Sequence, residues 1–320
     1  MDSSGKRGVC ARIDVCDVGT CVSTRSTQRE FDPRTSGGII LIDGHTKLYG
    51  LLAHPAAHSL SPAMHNLAFD RNQINARYLA FDVTPETLPT AVNAIRDLHL
   101  GGVNLSMPLK KAVIPLLDHV SDFAQKAQSV NTIVNRDGEL YGYSTDGVGV
   151  VQALKHHTDL SQAHVLLFGA GGAAESAALA LSDNGVGQLT IANRHVEKAQ
   201  NLADRLSALT QVISLEDEAA VCAAVQQADV LINATSLGMQ VQSELTPMPA
   251  SAQLRADQVV MDMVYDPLVT TFLSQAKQAG VKTCLNGLSL LVAQGAASFE
   301  LWTDTQMPVA EVEKHLAGLL

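Results

Sequence analysis

From residue 47 onward the chain alternates between two kinds of stretch. KLYGLLA (47–53), RYLAFDV (77–83) and VNLSM (103–107) are short, dense apolar runs bounded by polar or turn-forming residues, which predicts buried strands. Between them the apolar spacing lengthens. Ser61-Pro62 opens a helix to about residue 72, with Ser61 expected as its cap and Pro62 at the first helical position. A second helix covers 85 to about 98, with Leu88, Val92 and Ile95 on one face, and a third follows Pro108. VNTIVN and ELYGYST flank Arg136-Asp137-Gly138, a hairpin signal. Asp146 begins a helix through about residue 157.

At His164 the pattern changes. HVLLFGAGGAAESAALALSDNG reads as an apolar strand, a glycine turn and an Ala-rich helix. The strand QLTIANR, a helix over 196–206, the buried strands DVLINAT and QVVMDMVY, and a helix closed by Gly280 follow. This alternation predicts a parallel sheet with helices on both faces. The chain ends with a long helix over 287–302 and a short one near 308–319.

A length of 320 residues suits roughly two domains of about 150 residues each. Aromatic residues make up only 4%, so Ala, Val, Leu and Ile must build the core. The net charge of -10, with no basic stripe, argues against a nucleic-acid partner. No apolar run approaches the roughly 20 residues of a membrane span, so no membrane partner is expected. Cys10, Cys16 and Cys21 lack zinc-site spacing, and Cys222 and Cys284 stand alone, which predicts reduced thiols in a cytoplasmic protein. The eleven histidines show no metal-ligand spacing, and no metal is expected. Residues 1–45 are polar and aperiodic and are expected to form a disordered extension.

Gly169-Ala170-Gly171-Gly172-Ala173 follows a strand and opens a helix, the setting in which free N–H groups receive a pyrophosphate. The next strand ends in Asn193-Arg194, without the acidic residue that takes a ribose 2′-hydroxyl. Arg194, with Lys198 one turn on, offers cations to a 2′-phosphate, which favours NADP over NAD. His195 offers either a stacking surface for adenine or a phosphate contact.

Further motifs are polar residues in unusual settings: HSLSP (58–62), NLSMPLK (104–110), VNT (130–132), STDG (144–147), NATSLGM (233–239), DMVY (262–265) and GLSLLVAQ (287–294). With the glycine turn, and in this order, they closely resemble the shikimate dehydrogenase family over about residues 47–320. The resemblance implies an α/β fold with an N-terminal α/β substrate domain, a Rossmann-like NAD(P)-binding domain and an interdomain cleft. It places the substrate domain at 46–150, completed by C-terminal helices over 288–320, and the cofactor domain at 151–287. It assigns Ser59 and Ser61 to a substrate carboxylate, and puts Ser106, Lys110, Asn131, Asp146 and Gln294 around ring hydroxyls with Tyr265 nearby. It adds Ser236, Met263 and Gly287 to the cofactor site.

Lys110 and Asp146 are the catalytic candidates. Hydride transfer to a ketone leaves an alkoxide that needs a proton, and a Lys held by an Asp supplies it while stabilising the developing charge. His58 and His65 are expected to cap or pack. The implied activity is reversible NADP-dependent reduction of 3-dehydroshikimate to shikimate, on the route to chorismate and the aromatic amino acids, by a monomer or homodimer. His195 and Lys198 stand where Thr and Arg are frequent in NADP-dependent members, and Ser106-Met107 where Thr and Val often occur. The alternative is therefore a quinate/shikimate dehydrogenase using NAD or NADP.

Overall fold

In the computed structural model, which describes residues 42–239 and 242–320, the apolar runs become the strands of two six-stranded sheets. Residues 1–41, with the three N-terminal cysteines and most of the expected extension, lie outside the described residues. The first sheet is entered by β1 (Lys47–Ala53), α1 (Ser61–Arg71), β2 (Ala76–Asp82), α2 (Leu88–Asp97), β3 (Gly102–Leu105) and the short α3 (Leu109–Ala112). It is completed by β4 (His119–Val120), α4 (Asp122–Ala127), β5 (Thr132–Arg136) and β6 (Glu139–Tyr143), in the order β2-β1-β3-β5-β6-β4. β1 runs parallel to β2 and β3, whereas β5 is antiparallel to both β3 and β6. The β5–β6 hairpin turns on Asp137 and Gly138, both at positive φ, the two-residue turn whose twist matches that of its strands.

After α5 (Asp146–Lys155) the second sheet begins: β7 (His164–Phe168), α6 (Gly172–Asp183), β8 (Gln188–Asn193), α7 (Val196–Ala203), β9 (Thr210–Ser214), α8 (Glu218–Gln227) and β10 (Val230–Asn233). It continues with β11 (Val259–Asp262), α9 (Thr271–Gln278) and β12 (Thr283–Leu285). All its pairings are parallel, in the order β12-β11-β10-β7-β8-β9. The chain thus starts in the middle, winds outward one way to β9, then returns past β7 to wind the other way. That reversal leaves a crevice between β7 and β10 at their carboxyl ends, where open α/β sheets bind ligands.

Apolar side chains fill both faces of each sheet. Val150, Val151 and Leu154 of α5 join Val165, Leu167, Ala177 and Leu181 on one face of the second sheet, and Leu166, Phe168, Leu231 and Phe272 cover the other. The last two helices, α10 (Gly287–Thr303) and α11 (Val309–Ala317), return to the first sheet. Leu288, Val292, Phe299, Val312 and Leu316 pack with Tyr49, Met64, Phe69 and Tyr78, while Leu290 reaches the core of the second sheet. α10 therefore touches both sheets. Its start is fixed by Asn286, whose side chain accepts from Leu288 N at 3.1 Å.

Three local expectations are corrected. Ser61 is not the cap of α1: Leu60 occupies that place with no side-chain hydrogen bond, and Ser61 is the buried first residue of the helix. β3 stops at Leu105, so Ser106 and Met107 belong to a loop. α7 ends at Ala203, three residues before the expected end. The elements β4, β9, β12, α4 and α8 have no counterpart in the sequence reading.

Candidate active site

Lys110 stands on the first turn of α3, just past Pro108, with its neighbour Leu109 fully buried as the anchor. Its backbone carbonyl accepts from Val130 N at 2.9 Å, which ties α3 to the entrance of β5. Asp146 is the first residue of α5. The Lys110 ammonium donates to Asp146 Oδ2 at 2.7 Å, with side-chain exposures of 24% and 18%. Both groups are partly withdrawn from water and still reachable, which strengthens a charge-assisted bond without closing the site.

Asn131 holds the other carboxylate oxygen. Its Oδ1 accepts the backbone N–H of Thr145 at 2.8 Å, and a backbone N–H can only donate. The amide orientation is thereby fixed, so Nδ2 must face Asp146 Oδ1, to which it donates at 2.8 Å. The same nitrogen donates to Gln294 Oε1 on α10 at 3.3 Å. Lys110, Asn131, Asp146 and Gln294 thus converge from α3, the start of β5, α5 and α10.

The serine pair lies at the entrance of α1. Ser59 Oγ accepts Ser61 N–H at 3.2 Å, which leaves the Ser59 hydroxyl proton available to donate. Ser61 is buried. Ser106 is half-buried, and its loop is pinned by Ser106 N donating to Leu52 O at 3.0 Å. Tyr265 packs beside the apolar cluster formed by α1, α10 and the first sheet, and burial pushes its hydroxyl pKa up.

The cofactor candidates gather around the crevice of the second sheet. Gly169 has φ +109, a conformation that L side chains rarely adopt, and a Cβ there would meet Ala234 O at 3.1 Å. The glycine turn and the loop after β10 are therefore in contact. Side chains added at Gly171 or Gly172 would meet nothing within 4 Å, so the start of the twelve-residue α6, with Ala173 beside them, faces open space with its free N–H groups. A cavity of about 230 Å3 lies beside Ala170, lined also by Glu175, Lys198 and Arg205. Asn193 donates to His195 O at 2.8 Å and so shapes the loop after β8, where Arg194, His195 and Lys198 are exposed. An open helix start, a contact between glycine turn and neighbouring loop, and two exposed cations fit a phosphorylated dinucleotide.

Ser236, on the loop after β10, is exposed. Gly287 closes that side of the crevice. A Cβ there would lie 2.3 Å from Met263 O, so only glycine lets α10 start against the loop after β11. Beneath both loops Asp262 is fully buried and accepts from Asn233 Nδ2 at 3.0 Å, Val264 N at 2.9 Å and Thr270 Oγ1 at 2.6 Å. Burial raises its pKa, and these donors oppose the rise.

Sequence reasoning assigned no role to Asn104, Thr132, Thr145, Ser298 or Asp262. The available signal was a polar residue inside an apolar strand or helix, as in VNL and AASF. His65 is fully buried and stacks on Tyr78 with ring centroids 4.5 Å apart, in agreement with a packing role; burial pushes its pKa down to about 3. His58 is exposed. Among the described residues no His, Cys, Asp and Glu cluster suits a metal ion, and no helix is long and apolar enough to cross a membrane.

Comparison with known proteins bears on this geometry. Residues 51–133 match the family model for the shikimate dehydrogenase substrate binding domain, 151–277 that for shikimate / quinate 5-dehydrogenase, and 287–317 that for the shikimate 5'-dehydrogenase C-terminal domain. The chain is 42% identical over 282 residues to the shikimate dehydrogenase (NADP(+)) of Moorella thermoacetica, covering 87% of this chain and 95% of that one. To the protein of the same name from Thermococcus kodakarensis it is 46% identical over 264 residues, covering 82% and 93%. Among solved structures it resembles shikimate 5-dehydrogenase from Listeria monocytogenes in complex with shikimate and NAD, with TM-score 0.82, 36% identity and coverage of 86% and 98%. It also resembles the Thermus thermophilus shikimate 5-dehydrogenase in complex with NADP(H) and shikimate, with TM-score 0.77, 35% identity and coverage of 86% and 100%.

Proposed function

This chain belongs to the shikimate dehydrogenase family, and on that premise we propose that it catalyses the reversible NADP(H)-dependent reduction of 3-dehydroshikimate to shikimate, with Lys110 and Asp146 at the reacting centre. The observation that carries the reading is the Lys110–Asp146–Asn131 cluster. An ammonium, held on one side by a carboxylate that is itself held by an oriented amide, leaves its remaining N–H bonds for a substrate oxygen.

A nicotinamide cofactor, when bound, supplies or accepts the hydride. The chain's own residues do the rest. Lys110 donates a proton to the carbonyl oxygen as negative charge develops there, and takes it back in the oxidative direction. Asp146 keeps the ammonium in place and accepts from a ring hydroxyl, and Asn131 and Gln294 meet the neighbouring hydroxyls. Ser59 and Ser61 grip the carboxylate and so set which ring carbon faces Lys110. The glycine turn, Gly169 to Ala173, would hold the cofactor's pyrophosphate and Arg194 and Lys198 its 2′-phosphate, with His195 and Asn193 beside them, and Ser236, Met263 and Gly287 would line the rest of its site.

The test is a four-way turnover assay with shikimate or quinate and NADP or NAD, followed by the absorbance of reduced cofactor. Shikimate with NADP is expected to give the highest kcat/KM. Faster turnover of quinate, or no turnover in any arm, would overturn the reading.

A further inference from the structure

Behind Asn131 the cluster continues into a buried hydrogen-bond network that the reaction chemistry does not require. Asn104 lies in the apolar β3 and is 5% exposed, while Thr132 and Ser298 are both 0% exposed. Asn104 Nδ2 faces the Asn131 carbonyl oxygen at 3.1 Å, which can only accept, so its Oδ1 must face the other way. There it accepts from Tyr78 OH at 2.9 Å. Asn104 Nδ2 is also 3.2 Å from Thr132 Oγ1 and 3.0 Å from Ser298 Oγ. Thr132 has one proton, and Thr132 Oγ1 donates to Asn131 Oδ1 at 3.1 Å. Ser298 Oγ lies 2.8 Å from Thr132 Oγ1 and also donates to Gln294 O at 3.1 Å.

These contacts link Tyr78, Asn104, Ser298 and Thr132 to the Asn131 amide that holds Asp146. We propose that Asn104 and Ser298 are positioning residues for the reaction: with Thr132 they fix the Asn131 segment, and through its amide the Asp146 carboxylate. The catalytic meaning of this arrangement rests on the function proposed above, whereas the arrangement itself can be read without turnover. Buried networks of this kind are strong when every member is satisfied and weaken together when one is removed.

Ser298→Ala is the informative variant, because position 298 lies inside α10, where alanine favours the helix, and no loss of folding is expected. Two readouts separate positioning from bulk stability. By NMR hydrogen exchange, the Asn131 side-chain amide is expected to be slow in the wild-type protein and about tenfold faster in Ser298→Ala. In turnover, kcat for shikimate is expected to fall about tenfold, with KM for NADP unchanged and Tm lowered by only a few degrees, and Ser298→Thr, which keeps the hydroxyl, is expected to restore most of the lost kcat. Asn104→Ala, combined with Ser298→Ala, should cost less than the product of the single losses. Unchanged amide exchange in both single variants would overturn the proposal whatever the turnover. An inactive wild-type protein with the expected exchange pattern would strike the proposed function and leave the network standing.

Discussion

Lys110 Nζ and Asp146 Oδ2 lie 2.7 Å apart, although 36 positions separate the two residues. The β5–β6 hairpin closes that gap. It carries the chain out and back so that Asn131 enters and Ser144 leaves side by side, with Asn131 N donating to Tyr143 O at 3.0 Å. Replacing Lys110 with Met keeps the stem and removes the proton donor. On the proposed mechanism kcat is expected to fall by about 10² to 10⁴, with circular dichroism and NADP affinity unchanged. A rate within twofold of wild type would remove Lys110 from its role.

Gly287→Ala tests the cofactor side of the crevice. The added methyl would sit 2.3 Å from Met263 O, a backbone atom that can move only with its loop. Overpacking of this kind costs about 1–3 kcal/mol. A lower Tm is expected together with a raised KM for NADP, because the displaced loop borders the proposed cofactor site. A rise in KM for shikimate alone would contradict that placement.

Arg194→Ala bears on cofactor choice. Arg194 is exposed at the end of β8, with Lys198 on the first turn of α7. If they meet a 2′-phosphate, kcat/KM for NADP should drop about tenfold while that for NAD changes little, and added salt should narrow the difference. Equal losses with both cofactors would point to adenine stacking instead.

His65 predicts a pH dependence of stability. Burial holds its pKa at about 3 against the ordinary 6.5, so the folded protein keeps it neutral where the unfolded chain takes up a proton. Its contribution is complete above about pH 6.5 and is lost as pH falls toward 3, by up to roughly 1.4 kcal/mol per unit. His65→Phe retains a ring to stack on Tyr78 and cannot take that proton. Urea unfolding between pH 6.5 and 4.5 should show a shallower loss of stability for the variant; parallel slopes would count against it.

The parts of the fold that were legible in sequence are those with dense, local signals. The β7 strand, its glycine turn and α6 occupy one continuous run, and the β5–β6 hairpin is announced by Asp137-Gly138. The missed elements lack such signals. β9 is half-exposed on the sheet edge, β12 has three residues, and α8 is Ala-rich with a weak apolar face, although Asp217 capping Ala220 N was a readable start. Ser61-Pro62 looked like a cap because Ser before Pro usually is one, but the helix begins one residue earlier than that pattern implies, with Leu60 in the cap place and Ser61 buried inside its first turn. The grouping of Lys110, Asn131, Asp146 and Gln294 depends on contacts as distant as 163 positions, which periodicity does not reveal and only the family resemblance supplied. The Asn104–Ser298 contact, 194 positions apart, escaped both.

The chain passes between the two sheets twice, once at α5 and once before α10, and each passage carries a residue of the proposed site. Asp146 opens α5, and Gln294 sits on α10. A chimaera made by a single splice after β6 would therefore join the Lys110 and Asn131 of one parent to the Gln294 of another. Transplanting the pocket intact from a relative requires two splices, and natural recombination at one point would leave a hybrid whose halves had never been selected together.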